Sequence, residues 1–513
     1  MNEIRWKMCI ALVLIALLGT TATGCGDDQP VRPGGDGEQM NGDAGDGDLA
    51  GDGDQGSNDG DSEGGDGDSG NNGDGDGENN GDGDNGDDPE ESCGLPAPFD
   101  EGIEYERELF VATTGSDSSG DGSTDNPFAT LNRAASVATP GTRIVMREGN
   151  YAGGIYIQNF AGEPGRPVAV VADGEVVIQG GANNIQFVEP SYLVVEGLTF
   201  EGATANGLNI DDGSTLDTPA EYIVLRNLKV RGVNNDGNND CIKLSGLRHF
   251  WVIDSEVQGC ARGQGIDMVG CHEGIITGNR IADMAGPGIQ AKGGSSNVVI
   301  HGNWFEAVEG RGINAGGSTS LPYFRPPDAD AEARNIQTVA NVFVDVGETS
   351  GAPIAFVGCD DCLFAHNTVV RPLTWVARIL QESRDERFVP ARDGRFVHNL
   401  IALNVDDLRN GVYVNFSSGT DLSSFTFARN LWFALDRETY NGPTYTSEIP
   451  PEQDSMIQED PLFTDFDGQN FRLQPGSPAL GQGDRELYDM LFPDYDGRCY
   501  DDLPALGAFE GPE

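Results

Sequence analysis

Between Val194 and Leu431 the chain repeats one short phrase nine times: a β-branched or aromatic run, then Asn or another small residue, usually with an apolar residue after it. It starts as Val194-Val195-Glu196-Gly197-Leu198, Val224-Leu225-Arg226-Asn227-Leu228 and Val252-Ile253-Asp254-Ser255-Glu256. It continues through Ile276-Thr277-Gly278-Asn279, Ile300-His301-Gly302-Asn303 and Val339-Ala340-Asn341, and ends with Phe364-Ala365-His366-Asn367, Phe396-Val397-His398-Asn399 and Phe427-Ala428-Arg429-Asn430. The small-residue column reads 197, 227, 255, 279, 303, 341, 367, 399 and 430. One strand-like phrase cannot bury its apolar face alone, so recurrence at this period predicts stacked coils. Parallel crossovers are right-handed almost without exception. The expected fold is all-β, a right-handed parallel β-helix over residues 93–513, with the Asn amides stacked inside successive turns where the backbone bends.

A second column precedes the first: Gly207-Leu208-Asn209, Cys241-Ile242-Lys243, Gly265-Ile266-Asp267, Gly288-Ile289-Gln290, Gly312-Ile313-Asn314 and Pro353-Ile354-Ala355. Strand side chains alternate, so the apolar member points into the coil and its polar neighbour outward. Stacking then sets Lys243, Asp267, Gln290 and Asn314 in one outward file. Asp211, Ser245, Val269, Lys292 and Gly316 form a parallel file two residues on. Such a face suits an extended polymer, although a merely solvated face has the same pattern.

The ends of the solenoid need covering. Leu109-Phe110-Val111-Ala112 reads as a strand, Ala129 to Ala138 as an amphipathic capping helix, and Arg143-Ile144-Val145-Met146 as the next strand. Asn126-Pro127-Phe128-Ala129-Thr130-Leu131, Pro140-Gly141-Thr142 and Gly149-Asn150-Tyr151 resemble the opening of secreted right-handed β-helix proteins. Gly476-Ser477-Pro478-Ala479 through Leu506-Gly507-Ala508-Phe509-Glu510 resembles their closing segment.

Composition divides the rest of the chain. Arg5 and Lys7 precede an apolar run, Met8 to Leu18, too short to span a bilayer. Thr21-Ala22-Thr23-Gly24-Cys25 resembles a bacterial lipobox, which implies a signal peptide over 1–25, lipidation at Cys25, and an exported protein anchored to the outer membrane or cell surface. Residues 26–92 are Gly, Asp, Asn and Ser with 23 acidic residues and one basic, and are expected to be a disordered tether. Of the net charge of −53, −32 remains on residues 93–513, which argues against a nucleic-acid partner and against contact with anionic membrane beyond the lipid anchor. Seven cysteines lie past Cys25, so export implies disulfides with at least one cysteine left over. Cys359-Asp360-Asp361-Cys362 suits a local bridge. His249, His272, His301, His366 and His398 are scattered and read mostly as turn or surface residues.

Candidate chemistry gathers on the second column. Asp211, Asp212, Asp236, Asp240 and Asp267 are hard oxygen ligands on neighbouring coils, a candidate Ca²⁺ set. After the leader only Lys229, Lys243 and Lys292 are lysines, so Lys292 near Arg311 and Arg325 stands out. Glycines beside Lys292 and before Ser318 leave room for a ligand to approach the backbone. Gly288-Ile289-Gln290-Ala291-Lys292-Gly293-Gly294, with Arg311 and Tyr323-Phe324-Arg325 beyond, resembles the active-site region of β-helix polysaccharide lyases. The relevant groups are the chondroitinase B and alginate lyase group and the calcium-dependent pectate lyases. The resemblance implies Lys292 as the base at a uronate, Arg311 or Arg325 as neutraliser of its carboxylate, and Lys243 as a competing base. Gln290, Asn314, Tyr323 and Arg378 would bind substrate, an acidic polysaccharide. Two alternatives stay open: a non-catalytic glycan-binding or structural surface lipoprotein, and a glycoside hydrolase using the clustered aspartates.

Overall fold

The computed structural model describes residues 93–233, 239–260, 262–487 and 492–512. Cys25, the segments 1–25 and 26–92, and Asp236 lie outside them. Each coil is built from three strands, as in Ile266–Val269, His272–Thr277 and Arg280–Met284. Each strand pairs in parallel with the corresponding strand of the next coil: Asp267 lies opposite Gln290, Ile275 opposite Val299 and Ile281 opposite Phe305. The first strands of the coils form a ten-stranded sheet running from Ile155–Gln158 to Val414–Phe416. The other two faces are joined through the long bent strands Thr142–Ala152 and Val168–Gln179. This is a right-handed parallel β-helix. No helix among the described residues is long and apolar enough to cross a membrane.

Inward side chains stack in files. Phe305, Phe343, Phe364, Phe396 and Phe427 follow one another with ring centroids 4.6, 5.5, 5.1 and 5.7 Å apart, all essentially fully buried. The amide column forms a continuous ladder. The backbone N–H of Asn279 donates to the Asn303 side-chain oxygen, Asn303 to Asn341, Asn341 to Asn367, Asn367 to Asn399 and Asn399 to Asn430, at 2.9–3.0 Å. Ser255 and Ser455 continue the ladder at its two ends. Each amide thus satisfies backbone groups that the corner takes out of the sheets.

The first two members of the column are corrected by one residue. Glu196 pairs with Arg226 and Arg226 with Ile253, while Thr199 pairs with Lys229 and Lys229 with Glu256, which aligns Leu198, Leu228 and Ser255. Gly197 and Asn227 take the left-handed corner position (φ 75° and 55°) that Asp254, Gly278 and Gly302 hold on later coils. An Asn serves either place, because its short polar side chain tolerates the left-handed region.

At the opening end the capping helix is one short turn, Leu131–Ala135, rather than the stretch 129–138. Thr130 caps it, accepting from the Arg133 N–H at 3.2 Å, and Leu131 and Ala134 face the core. Beyond Ser136 single turns lead into Thr139-Pro140-Gly141 instead of a second helical turn. The closing segment folds back over a side of the solenoid and buries three of the histidines that read as turn or surface residues. His301 meets the Pro493 carbonyl at 2.7 Å, His366 meets that of Ala505 at 3.0 Å, and His398 accepts from the Asp484 N–H at 3.2 Å, all three buried. His366 and His398 do occupy corners, but a long-range return of the chain covers them. Disulfides join Cys93 to Cys499, Cys241 to Cys260 and Cys359 to Cys362, leaving Cys271 free and buried.

Candidate functional site

The outward file of the ten-stranded sheet runs Tyr156, Gln186, Asn209, Lys243, Asp267, Gln290, Asn314, Ala355, Arg378, Asn415 in consecutive register. The parallel file runs Asp211, Ser245, Val269, Lys292. The expected registration of Lys243, Asp267, Gln290 and Asn314 is therefore present, with Lys292 opposite Val269.

Two lysines meet on one aspartate. Lys243 Nζ bonds Asp267 Oδ2 and lies 3.3 Å from Asp240 Oδ2, while Lys292 Nζ is 3.7 Å from the same Asp267 oxygen. Asp240 and Asp267 are closed off from solvent, whereas the Lys243 and Lys292 side chains keep 21% and 10% exposure. Burial by itself would lower the Lys243 ammonium, but Asp267 and Asp240 outweigh it and hold it above the ordinary lysine range. Burial would raise Asp267, yet Lys243 and then Lys292 hold it below the usual carboxylate range. For Asp240 burial prevails over Lys243 and pushes the carboxyl up. Burial likewise raises Asp211, against the hydrogen bond that Gln186 donates at 2.8 Å.

The arginines are engaged in walls. Arg311 donates to Asn314 at 2.9 Å and to Glu382 at 2.8 Å. Arg325 reaches back over the corner glycines Gly246 and Gly270 to grip Asp212 through two bonds, 2.5 and 2.8 Å. Tyr323, on the same strap, is 49% exposed. Arg378 lies over the Trp375 ring at 4.5 Å and bonds Asn415 at 3.0 Å. Glu332 ties these walls together: it accepts from the N–H of Gly293 (3.1 Å), from the N–H and hydroxyl of Thr319 (2.9 and 2.8 Å), and from Ser383. Gly317 sits directly on Lys292 and Gln290, where a Cβ would come within 2.5 Å of the Gln290 amide nitrogen.

Lys243 bridges Asp240 and Asp267, and Arg325 holds Asp212, leaving Asp211 beside Gln186. Among the described residues no group of three or more His, Cys, Asp or Glu side chains converges as a metal site.

Glu332 and Glu382 were not legible in the sequence, because nothing in the local pattern around a loop carboxylate says which coil it folds back on. Gln186 was legible: Ile185-Gln186 repeats the apolar-in, polar-out pair of the later coils.

A family model described as the right-handed β-helix region matches residues 176–325. No curated protein matches the chain. Among solved structures, a pectate lyase is similar at 16% identity over 80% of this chain and 98% of its own, with a TM-score of 0.48. An alginate lyase from Paenibacillus sp. is 14% identical over 68% of this chain and 99% of its own, with a TM-score of 0.40. A lacto-N-biosidase from Eubacterium ramulus is 12% identical over 68% of each chain, with a TM-score of 0.44. Likeness at this level is one of fold.

Proposed function

We propose that the outer face of the ten-stranded sheet binds an acidic polysaccharide along the solenoid axis and cleaves it by β-elimination at a uronate over Lys243 and Lys292. The observation that carries this reading is the meeting of the two lysines on Asp267, within a polar outward file. They divide the work by their partners. Lys243 has two carboxylates, keeps its proton, and serves as the fixed cation for the uronate carboxylate and its developing enolate. Lys292 has only the longer contact with Asp267, so it takes the proton from C5. The electron pair forms the C4–C5 double bond, the C4–oxygen bond breaks, and the proton on Lys292 passes to the expelled oxygen. Arg325, clamped on Asp212, and Arg311, paired with Glu382, position the walls. No step is routed through calcium, since an ammonium already stands between Asp240 and Asp267.

One observation favours a second reading, hydrolysis: neighbouring Asp240 and Asp267 are shifted in opposite directions, the division that acid–base catalysis needs. The assay separates the two. Pectate, alginate and chondroitin sulfate are incubated with the protein, with and without Ca²⁺. Ultraviolet absorbance of unsaturated uronate supports elimination, and new reducing ends without that absorbance support hydrolysis. Retention of a glycan with no product would leave a binding protein. Export and lipid anchoring at Cys25 form part of the same proposal, supported by the three disulfide pairs, since such bonds persist in oxidising compartments.

A further inference from the structure

A solvent-facing sheet alternates buried and accessible side chains, and the ten-stranded sheet does so at its opening end but not along its middle strands. On Ile155–Gln158, Leu208–Asp211 and Ile242–Ser245 the outward residues reach solvent, with Tyr156 at 52%. From Ile266–Val269 through Ile354–Val357 every residue is buried, although Asp267, Gln290, Asn314 and Ala355 continue the same outward file. Ala355, Val357 and Leu380 even form an apolar cluster of their own, apart from the interior. Something therefore lies across the outer face there.

The covering chain can be named. Glu382 follows the strand Ala377–Leu380, yet it pairs with Arg311, which precedes the strand Ile313–Gly316 two coils earlier. To do so, the segment from Gln381 must cross the outer side of the coil that carries Ala355. Ser383 is fastened to Glu332, and Glu332 to Thr319, so the crossing segment and the strap starting at Gly317 make one continuous wall. The open floor thus spans the four strands from Ile155–Gln158 to Ile242–Ser245, roughly 15 Å at the usual strand spacing, and stops at Lys243, where the Lys292 side chain reaches in toward Asp267.

We infer that this groove is closed at one end, and that the protein takes the terminus of a polysaccharide chain rather than its middle. This rests on the preceding reading of the face as a polysaccharide site. The terminal sugars lie at the closed end beside Lys243 and Lys292, the remainder of the chain leaves over Asn209, Gln186 and Tyr156, and the distance from the closed end to the cleaved bond sets the length of the released product. A groove open at both ends would let a long chain thread through and be cut at any bond.

The experiment follows product size on pectate, alginate and chondroitin sulfate by size-exclusion chromatography, beside the total number of bonds cleaved. The expected result is short products of uniform size from the first time point, with the average length of the polymer almost unchanged. Glu382→Ala, which opens the wall, should lose that uniformity and shorten the polymer early. An early collapse of polymer length with wild-type protein overturns the closed-end inference while leaving elimination intact, and needs no variant that must fold. If a polymer is retained without cleavage, equal masses of its long and short chains are set in competition. Displacement in proportion to chain ends supports the inference, and displacement in proportion to mass overturns it. Neither retention nor cleavage of any of the three overturns the polysaccharide reading, and this inference with it.

Discussion

At the scale of single residues, the chemistry depends on how two lysines share carboxylates. The buried carboxylates of Asp240 and Asp267 oppose the pull of the Lys243 ammonium on a polyanion, so that pull depends on whether they carry protons. Burial pushes Asp240 up, so it gains a proton before ordinary carboxylates as pH falls, and the cluster loses negative charge. Binding of the glycan should therefore tighten between neutral and mildly acidic pH. Isothermal titration with an oligomer of the retained polymer checks this, and Asp240→Asn should show no such change. Equal pH dependence in the variant would mean that another group is responsible. The pairing of Lys243 with Asp267 was legible in the sequence, because the period-2 alternation and the repeat fix which residues are adjacent. The engagement of Arg311 and Arg325 was not, since each meets a carboxylate brought back by a loop, Arg325 with Asp212 across 113 positions and Arg311 with Glu382 across 71.

At the scale of the element, the corner ladder ties one coil to the next. Asn341 accepts from the Asn303 N–H at 2.9 Å and donates to the carbonyls of Ile300 and Val339 at 2.9 and 3.0 Å, in a fully buried corner. Replacing it with Leu leaves these groups without partners, and losing such bonds in the interior costs about 3 kcal/mol. Urea unfolding of Asn341→Leu should show that loss, while Asn227→Leu, at an outer corner, removes no rung of the ladder. The repeat made the ladder readable from Asn279 onward, where five further Asn rungs follow in register. It misplaced the column at Gly197 and Asn227, because a small or polar residue suits the left-handed corner as well as the rung beside it. The capping helix came out shorter than its amphipathic pattern, since Leu131 and Ala134 alone reach the core and Pro140-Gly141 turns the chain soon after.

At the scale of the whole molecule, the closing segment holds one side of the solenoid through contacts far apart in sequence. His398 is buried beneath it, and burial first, then Arg429, lowers its imidazole to about 4 against the opposing pull of Asp484. A histidine with a depressed folded pKa stabilises the fold in its neutral form, above the ordinary value near 6.5, and that contribution is lost as pH falls toward 4. The span corresponds to about 3 kcal/mol. Urea midpoints measured across this range should fall with pH, and fall less in His398→Gln; parallel curves would place the acid sensitivity elsewhere. The Cys93–Cys499 bond joins residues separated by 406 positions, and chain-entropy reasoning gives it about 6 kcal/mol. Gentle reduction should lower the melting temperature and expose the closing segment to protease before the coils unfold. None of this return was legible from local pattern, which explains why the burial of His301, His366 and His398 did not show in a reading of them as turn or surface residues. The most direct test of the central claim is the rate of unsaturated-uronate formation by Lys292→Ala on the polymer that the wild-type protein cleaves. In this variant kcat should fall about a thousandfold, as removal of a general base gives, with KM little changed and the melting temperature preserved. Wild-type kcat in that variant would contradict the claim.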